Sequence, residues 1–234
     1  NKSRVTLESD IEINRNLLLK SGKLILDAYD MNVSGTITGG SKDTYIQTNG
    51  LGRLLMAVKG TTTFPIGNAA YNPVNLTTQT QNILGARVVD AVYTEGLSGK
   101  IITQDVVKRT WDITGNLTDT LAIELFWSAS DEGLRFDRDN CYVSHFEGLK
   151  WNGEAPNAAS NGTMYSRTRG RFTSLSPFAI GSNGVLPVTY NLFSARPYKN
   201  NVKINFSTLT EVDNEYFEIQ RSVDGIDFEE LGTL

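Results

Sequence analysis

Residues 201–207 (NVKINFS) alternate apolar and polar side chains, as a half-buried β-strand does. Residues 216–222 (YFEIQRS) repeat the alternation, and the pair Asp224-Gly225 then predicts a tight hairpin turn into residues 228–231 (FEEL), because Asp and Gly tolerate positive φ angles. A sandwich of the fibronectin or immunoglobulin type needs about seven strands over about 100 residues. The C-terminal region therefore predicts an incomplete module of that type, and the chain reads as an excerpt from a longer polypeptide.

Upstream of that module the sequence has the pattern of an all-β protein, with short apolar segments separated by turns. Residues 1–62 carry short apolar segments separated by polar or Gly turns, which predicts a short β-solenoid-like region; a simple β-meander is the alternative. Residues 63–182 contain longer patterns such as Leu121–Trp127 (LAIELFW), in which alternate residues face a core. These patterns predict an antiparallel β-sandwich or jelly roll. The partial fibronectin- or immunoglobulin-like module follows at residues 183–234.

Charge and hydropathy restrict the classes of partner. A formal net charge of −4 argues against nucleic-acid binding, which needs a concentrated basic face. The local basic cluster of Arg167, Arg169 and Arg171 is spaced by two, so a regular strand would project all three side chains from one face. That face would be solvated or would contact an anion or glycan. No segment approaches the roughly 18 consecutive apolar residues of a membrane span.

Residues that carry catalytic chemistry are scarce. His145 is the only histidine, which excludes multi-histidine metal sites, and no Gly-x-Ser-x-Gly elbow accompanies it. Cys141 is the only cysteine, so no intrachain disulfide forms, and we expect its thiol to be a small buried hydrophobe. The hard oxygens of Asp131, Asp137 and Asp139 are candidate calcium ligands. A carboxylate pair for glycoside hydrolysis could come from the same turn-rich stretch, and simple loop charges are the other alternative. The carboxylates considered for that pair are Asp131, Glu132, Asp137, Asp139 and Glu147. The sequence thus predicts no enzyme and no cofactor beyond that calcium.

The large aromatic residues have two interpretations. Trp111, Trp127 and Trp151 lie in strand patterns, where a single large aromatic residue usually buries its ring against the opposite sheet. For a carbohydrate-binding module, Tyr142, Trp151 and Tyr165 are the candidate platform residues, because sandwiches present loops or a concave face to glycans. Coplanar exposed rings would favour the second interpretation.

Several motifs resemble one family of bacterial surface proteins. Residues 186–228, which include LPV, FSA and the run EVDNEYFEIQRS, resemble a module near the C-terminus of many large Bacteroidota proteins exported by the type IX secretion system. Residues 64–74 (FPIGNAAYNPV) resemble a signature of the same proteins. Residues 46–54 (IQTNGLGRL), 111–113 (WDI) and 176–180 (SPFAI) fall in the expected order. The resemblance covers nearly the whole chain.

The resemblance implies export and an extracellular, cell-surface location. It implies contact with the type IX translocon and its shuttle proteins during export, chiefly through a sorting domain that usually follows in the family, and it says little about any ligand. Other surface proteins or glycans are the further partners that we consider. The chain departs from the family at Phe206, where a Trp is common. Our leading hypothesis is a non-catalytic structural or adhesive segment. A carbohydrate-binding module and a glycoside hydrolase-like enzyme using the acidic loop are the alternatives.

Overall fold

The computed structural model describes residues 4–182, 190–199, 201–208, 217–224 and 227–234 of the chain. Most of these residues form β-strands, and the helical element among them is a single 3-10 turn at Ala129–Asp131. No helix within the described ranges is long and apolar enough to cross a membrane. The predicted all-β class is confirmed. The contacts divide the chain into two compact units, Asn1–Leu186 and Pro187–Leu234.

The first strands of unit Asn1–Leu186 are short and pair in parallel. Their bounds are β1 (Arg4–Thr6), β2 (Ile11–Ile13), β3 (Leu17–Leu19), β4 (Lys23–Ile25), β5 (Met31–Val33), β6 (Ile37–Gly39), β7 (Tyr45–Gln47), β8 (Leu54–Phe64) and β9 (Ile66–Gly67). One face has the order β1-β4-β7-β9, a second pairs β2 with β5 and β5 with β8, and a third pairs β3 with β6. The chain therefore winds through three faces in successive rungs, which confirms the predicted solenoid and replaces the meander.

Polar side chains at the solenoid corners explain why short apolar segments wind in this way. The Asn16 Oδ1 atom accepts a hydrogen bond from the Thr36 backbone N–H at 2.9 Å, and Asp10 Oδ1 accepts one from the Asp30 N–H at 2.9 Å. Each bond joins one corner to the corner of the next rung, which satisfies backbone groups that lie outside the strand ladders. At Gly52 a Cβ atom would lie 2.0 Å from the Tyr29 carbonyl oxygen, so that corner requires glycine.

The remaining strands of this unit pair mainly in an antiparallel manner. Their bounds are β10 (Val74–Val89), β11 (Val92–Glu95), β12 (Ser98–Ile102), β13 (Val106–Gly115), β14 (Leu121–Trp127), β15 (Cys141–Glu147), β16 (Lys150–Asn152), β17 (Ser160–Asn161), β18 (Tyr165–Phe172) and β19 (Pro177–Ser182). Along the main sheet the order is β16-β15-β19-β13-β10-β14-β18-β17. β11 and β12 form a separate hairpin.

The large sheet folds into the two layers of a sandwich because two long strands, β8 and β10, belong to both layers. β10 pairs with β8 along both of its halves, while its other edge pairs with β14 from Val74 and with β13 from Leu84. The register shifts between Thr78 and Asn82, opposite Gly60, whose φ is 68°. The β8–β10 ribbon bends at this bulge. One half of the ribbon therefore lies in each layer of the sandwich. The domain boundary that the sequence predicts between residues 62 and 63 falls inside β8.

The core lies between these layers and continues into the solenoid. In β14 the side chains of Leu121, Ile123 and Leu125 are fully buried and alternate with partly exposed ones, as the sequence pattern predicts. Trp111 and Trp127 are also fully buried, and both belong to the main core cluster. The expected core role of these two tryptophans is therefore confirmed. The same cluster contains apolar residues of the solenoid, so one hydrophobic core serves both regions.

Asp119 closes the β10 bulge, and this contact makes the stability of the fold depend on pH. Its Oδ2 atom accepts hydrogen bonds from the backbone N–H groups of Gln79 and Thr80 at 2.7 and 2.8 Å, and its Oδ1 atom accepts one from Asn82 Nδ2 at 3.0 Å. The bonds from Thr80, Gln79 and Asn82 lower the pKa of this carboxyl group below its ordinary value. The carboxylate therefore stabilises the fold above the ordinary Asp pKa, and this contribution is lost as the pH falls through the lowered value.

We expect Asp119→Asn to unfold at lower urea concentration than the wild type at pH 7. The difference should shrink as the pH falls below the ordinary Asp pKa and through the lowered one, where the wild-type carboxylate becomes protonated too. Tryptophan fluorescence measures the transition, since all three tryptophans lie in unit Asn1–Leu186. Asp43→Asn is the matched control, because Asp43 lies in an exposed pair with Lys42. A difference that stays constant from pH 7 to the acid limb would contradict the assignment.

Unit Pro187–Leu234 contains two antiparallel hairpins within its described residues. They are formed by β20 (Tyr190–Tyr198) with β21 (Asn201–Thr208) and by β22 (Glu218–Ser222) with β23 (Phe228–Thr233). The strand patterns at 201–207 and 228–231 are therefore confirmed. The Asp224-Gly225 turn and residues 183–189 and 209–216 lie partly or wholly outside the described residues, and the incomplete fibronectin- or immunoglobulin-like module stays a prediction.

Candidate functional site

The motifs at residues 46–54, 64–74 and 111–113 meet where the solenoid joins the sandwich. Ile66 and Gly67 form β9, which pairs with β7 and adds a fourth strand to one solenoid face. A Cβ atom at Gly67 would lie 1.9 Å from the Ala70 carbonyl oxygen, so the following turn requires glycine there. Trp111 Nε1 donates a hydrogen bond to the Asn72 carbonyl oxygen at 2.9 Å. These motifs therefore have structural roles at one junction.

A buried ion network connects the two regions at this junction. The Asp112 Oδ2 atom accepts hydrogen bonds from Arg53 Nη2 at 2.6 Å and from Arg87 Nε at 2.7 Å. Arg87 also donates through Nη1 to the Gly50 carbonyl oxygen at 3.0 Å. Asp112 and Arg87 are both buried. Charge-assisted bonds of this kind hold their partners in fixed directions, so the network fixes the solenoid loop at 50–53 to β10 and β13.

A second buried network contains Asp131, one of the candidate calcium ligands. Asp131 Oδ1 accepts a hydrogen bond from Arg109 Nη2 at 2.7 Å, and its Oδ2 atom accepts one from Asn72 Nδ2 at 2.8 Å. Asn72 Oδ1 in turn accepts a bond from Arg109 Nε at 3.0 Å. All three side chains thus bond to one another in the interior. Asp131 supports the sandwich in this arrangement, and its carboxylate neutralises Arg109.

Asp137 and Asp139, the other candidate calcium ligands, form a local turn. Asp137 accepts hydrogen bonds from Asn140 Nδ2 at 2.8 Å and from the Asp139 backbone N–H at 2.9 Å. These bonds, with that of the Asn140 side chain first, lower the pKa of Asp137. Within the described residues no group of three or more His, Cys, Asp or Glu side chains is arranged to hold a metal ion. The structure therefore does not assemble the three aspartates into one site.

A polar cleft of about 600 Å³ lies beside that turn and is the candidate ligand site. Arg138 donates through Nε and Nη2 to the two carboxylate oxygens of Glu132 at 2.7 and 2.8 Å. Its guanidinium carbon lies 4.1 Å from the ring centroid of Tyr165, within the range of a cation–π contact. The hydrogen bonds that Arg138 donates to the Glu132 carboxylate are the main cause that raises the pKa of Arg138. The lining consists of Glu132, Phe136, Asp137, Arg138, Asp139, Ala159, Asn161 and Tyr165.

Trp127 supports the cleft from the core. Its Nε1 atom donates to Glu132 Oε1 at 2.9 Å. Its ring lies 6.1 Å from that of Tyr165 and 5.9 Å, edge-on, from that of Phe136. The Tyr165 ring thus has Arg138 over it and Trp127 beside it, so the cleft offers a fixed polar and aromatic surface. Tyr165, Asp137, Asp139 and Glu132 are candidates from the sequence, whereas nothing in the sequence predicts that Arg138 binds Glu132 and lies over Tyr165.

The other two candidate platform residues are buried. The Tyr142 ring is covered by Gly153 and Gly181, where added Cβ atoms would lie 2.7 and 2.9 Å from ring carbons. Trp151 packs with a small second core cluster, and its Nε1 atom donates to the Tyr93 carbonyl oxygen at 2.8 Å. Trp151 therefore has the expected core role. Of the three residues, only Tyr165 lines the cleft.

The three arginines of β18 do not form one regular row. Arg167 Nε donates to the Cys141 carbonyl oxygen at 3.1 Å, and Arg169 Nη1 donates to the Val143 carbonyl oxygen at 3.0 Å. Arg171 lies in a β-bulge with a φ of 67° and is exposed. The expected alternation is therefore interrupted before Arg171. Glu154 lies 3.7 Å from the Arg167 guanidinium, and burial raises the pKa of this carboxyl group.

Neither His145 nor Cys141 has the environment of an activated catalytic group. The His145 ring stacks on Phe178 at a centroid distance of 4.4 Å and meets Phe172 edge-on at 5.1 Å. Burial is the main cause that lowers the pKa of His145, so it is neutral near pH 7. Burial raises the pKa of the Cys141 thiol to about 11, which opposes formation of the reactive thiolate. Cys141 is buried, as the sequence analysis expects.

The function of the cleft has to be argued from its geometry. No protein-family model, curated protein or solved structure matches the chain. The cleft contains ionised and hydrogen-bonded groups suited to binding a polar ligand. Hydrolysis of a glycoside requires a carboxylic acid with a raised pKa beside a second carboxylate. Asp137 has a lowered pKa, and the Glu132 carboxylate accepts hydrogen bonds from Arg138 and Trp127.

Proposed function

We propose that the chain is a non-catalytic structural or adhesive segment of a secreted cell-surface protein, exported by a type IX secretion system. The resemblance of residues 186–228 and 64–74 to exported Bacteroidota surface proteins supports the export route. Its partners during export would be the translocon and its shuttle proteins. At the cell surface the segment would act as a stalk that positions neighbouring modules against other surface proteins or glycans.

The observation that carries the stalk role is the continuity of β8. Its first residues, Leu54 to Met56, pair in parallel with β5 of the solenoid, and the whole strand pairs antiparallel with β10 of the sandwich. A strand shared in this way transmits load through its ladder hydrogen bonds, without a flexible linker between the regions. The network around Asp112 reinforces the same junction. Solenoid and sandwich therefore behave as one rigid element.

Single-molecule stretching between attachment points at residues 4 and 182 tests this role. We expect one unfolding step that lengthens the chain by about 600 Å, because the residues extend by about 3.3–3.6 Å each. Two reproducible steps, of about 200 and 400 Å, would mean that the solenoid and the sandwich are independent modules. That result would overturn the stalk proposal.

Export is tested on the source organism. Antibodies against residues 4–182 are expected to label intact cells, and the labelling should disappear in a strain that lacks the type IX translocon. Retention of the protein inside wild-type cells, with normal labelling of a known exported protein as the control, would contradict export. This result is independent of the stretching experiment.

The cleft supports glycan binding as a second candidate function. Planar polar side chains beside an aromatic ring are the groups that bind sugars through hydroxyl hydrogen bonds and ring stacking. On a glycan array the wild type should bind at least one polysaccharide, and Tyr165→Ala and Arg138→Ala should lose that binding. Tyr29→Ala, a change on the solenoid surface, is the matched control. Absence of binding by the wild type, or equal binding by all variants, would remove this candidate.

A further inference from the structure

Three Asn-Gly pairs lie within the described residues, and the fold constrains them to different degrees. They are Asn49-Gly50, Asn152-Gly153 and Asn161-Gly162; a further pair, at residues 183 and 184, lies outside the described residues. In such a pair the backbone nitrogen of glycine can attack the side-chain carbonyl carbon of asparagine, because glycine has no Cβ atom to hinder the approach. The attack requires both residues to rotate, so local opening of the fold decides which pair reacts.

The Asn49-Gly50 pair is fixed at a solenoid corner. Asn49 Oδ1 accepts a hydrogen bond from the Asp27 backbone N–H at 3.1 Å. The Gly50 carbonyl oxygen accepts one from Arg87 Nη1 at 3.0 Å, and a Cβ atom at Gly50 would lie 2.2 Å from the Asp27 carbonyl oxygen. The side chain of Asn49 and the backbone of Gly50 therefore cannot rotate toward each other unless these contacts break.

The Asn152-Gly153 pair is fixed in the sandwich. Asn152 belongs to β16, where it pairs with His145, and its carbonyl oxygen accepts a hydrogen bond from Arg169 Nη1 at 2.9 Å. A Cβ atom at Gly153 would lie 2.7 Å from the buried ring of Tyr142. Rotation of this pair would require β16 to leave the sheet and the Tyr142 ring to move.

The Asn161-Gly162 pair is the least constrained of the three. Asn161 ends β17, a strand of two residues at the edge of the main sheet, and both residues of the pair are exposed. A Cβ atom at Gly162 would lie no closer than 3.6 Å to its nearest described neighbour, the Met164 carbonyl oxygen. The Gly162 N–H donates to that oxygen at 3.2 Å, and this local bond has to open before the nitrogen reacts. Short, exposed edge segments open at low free-energy cost.

We propose that Asn161 is a site of spontaneous deamidation in the folded protein. The Gly162 nitrogen loses its proton to water or hydroxide and forms a bond to Asn161 Cγ, while the bond from Cγ to Nδ2 breaks and Nδ2 leaves as ammonia. Water then adds to either carbonyl carbon of the resulting cyclic imide and opens it. The product is aspartate or iso-aspartate at position 161. The net reaction is hydrolysis, so no oxidant or reductant takes part.

This modification would change the cleft that Asn161 lines. Asn161 pairs with Tyr165, and the lining of the cleft also contains Asp137 and Asp139. Either product adds a carboxylate to this lining. Iso-aspartate also inserts a methylene group into the main chain, which disturbs the pairing of β17 with Tyr165. The cleft would thus change with the age of the protein and without an enzyme, whether or not it binds a glycan.

Peptide mass spectrometry of the incubated chain tests the assignment. In the folded protein we expect Asn161 to deamidate at least about tenfold faster than Asn49 and Asn152, because its segment opens more often. In the urea-unfolded chain the three pairs should react at similar rates, since all share the Asn-Gly sequence and no fold protects them. Fragmentation of the peptides assigns each product to its residue. Equal rates at the three sites of the folded chain, or a slower reaction at Asn161, would overturn the proposal.

Gly162→Ala tests the chemical route. The φ of Gly162 is not positive and a Cβ atom there has room, so alanine fits the fold. Its methyl group hinders the attack, and deamidation of Asn161 should slow by at least about tenfold with the rates at Asn49 and Asn152 unchanged. Gly170→Ala is the matched control, because Gly170 is another exposed glycine with room for a Cβ atom. An Asn161 rate that Gly162→Ala leaves unchanged would exclude attack by the Gly162 nitrogen and overturn the proposal.

Discussion

Asp112→Ala is expected to lower the free energy of unfolding of unit Asn1–Leu186 by about 3–5 kcal/mol, because it leaves one buried guanidinium group, that of Arg87, and one partly buried group, that of Arg53, without their shared carboxylate. Arg53 Nη2 and Arg87 Nε both donate to Asp112 Oδ2, and the carboxylate side chain is 5% exposed. Urea denaturation followed by tryptophan fluorescence measures the loss. Urea is the suitable denaturant because, unlike guanidinium chloride, it adds no ions that screen the attraction between Asp112 and the two arginines.

Asp43→Ala provides the matched control for this prediction. Asp43 pairs with Lys42 at 3.0 Å, and the two side chains are 46% and 86% exposed. Exposed pairs contribute less than about 1 kcal/mol, so the control should unfold close to the wild type. Equal losses for Asp112→Ala and Asp43→Ala would mean that the network does not hold the solenoid to the sandwich.

Trp127→Ala is expected to reduce the stability of the same unit by about 3–5 kcal/mol, the range found when a large buried ring is removed from a core. The ring is fully buried between the sandwich core and the candidate cleft, where it contacts Phe136 and Tyr165. Urea denaturation followed by the fluorescence of Trp111 and Trp151 measures the effect.

Trp127→Phe separates the packing of the ring from its hydrogen bond. Phenylalanine retains much of the apolar volume but cannot donate to Glu132, so we expect a smaller loss than for alanine. A loss for Trp127→Phe as large as that for Trp127→Ala would mean that the hydrogen bond to Glu132, not ring burial, provides most of the stabilisation.

The parts of the fold that the sequence predicts are those whose signal is local. Apolar residues at every second position of Leu121–Trp127 predict a strand with one buried face, and β14 has that buried face in the structure. The solenoid is predictable because its rungs repeat short apolar segments between polar corners. The β8–β10 ribbon is different, since Gly60 and the polar residues opposite it resemble a loop but form a bulge within two long strands.

The ion network at the junction of solenoid and sandwich is less predictable because its contacts join distant positions. Arg53 and Asp112 are 59 residues apart in the chain, and no local pattern pairs them. Tyr142 and Trp151 are platform candidates only under the carbohydrate-binding alternative, and the sequence leaves that alternative open because alternation alone does not distinguish an exposed face from a covered one. β15 is buried on both faces over most of its length, so its second face packs against other residues.

The pairing distances along the chain imply an order of folding. Solenoid partners such as Leu17 and Ile37 are separated by about 20 residues, whereas β13 and β19 join Val106 to Gly181. Closing short loops before long ones is entropically favoured, so the rungs should form first. β8 then presents a preformed edge on which β10 can pair. The N-terminal region would thus act as the nucleus that sets the register of the later, slower sheet.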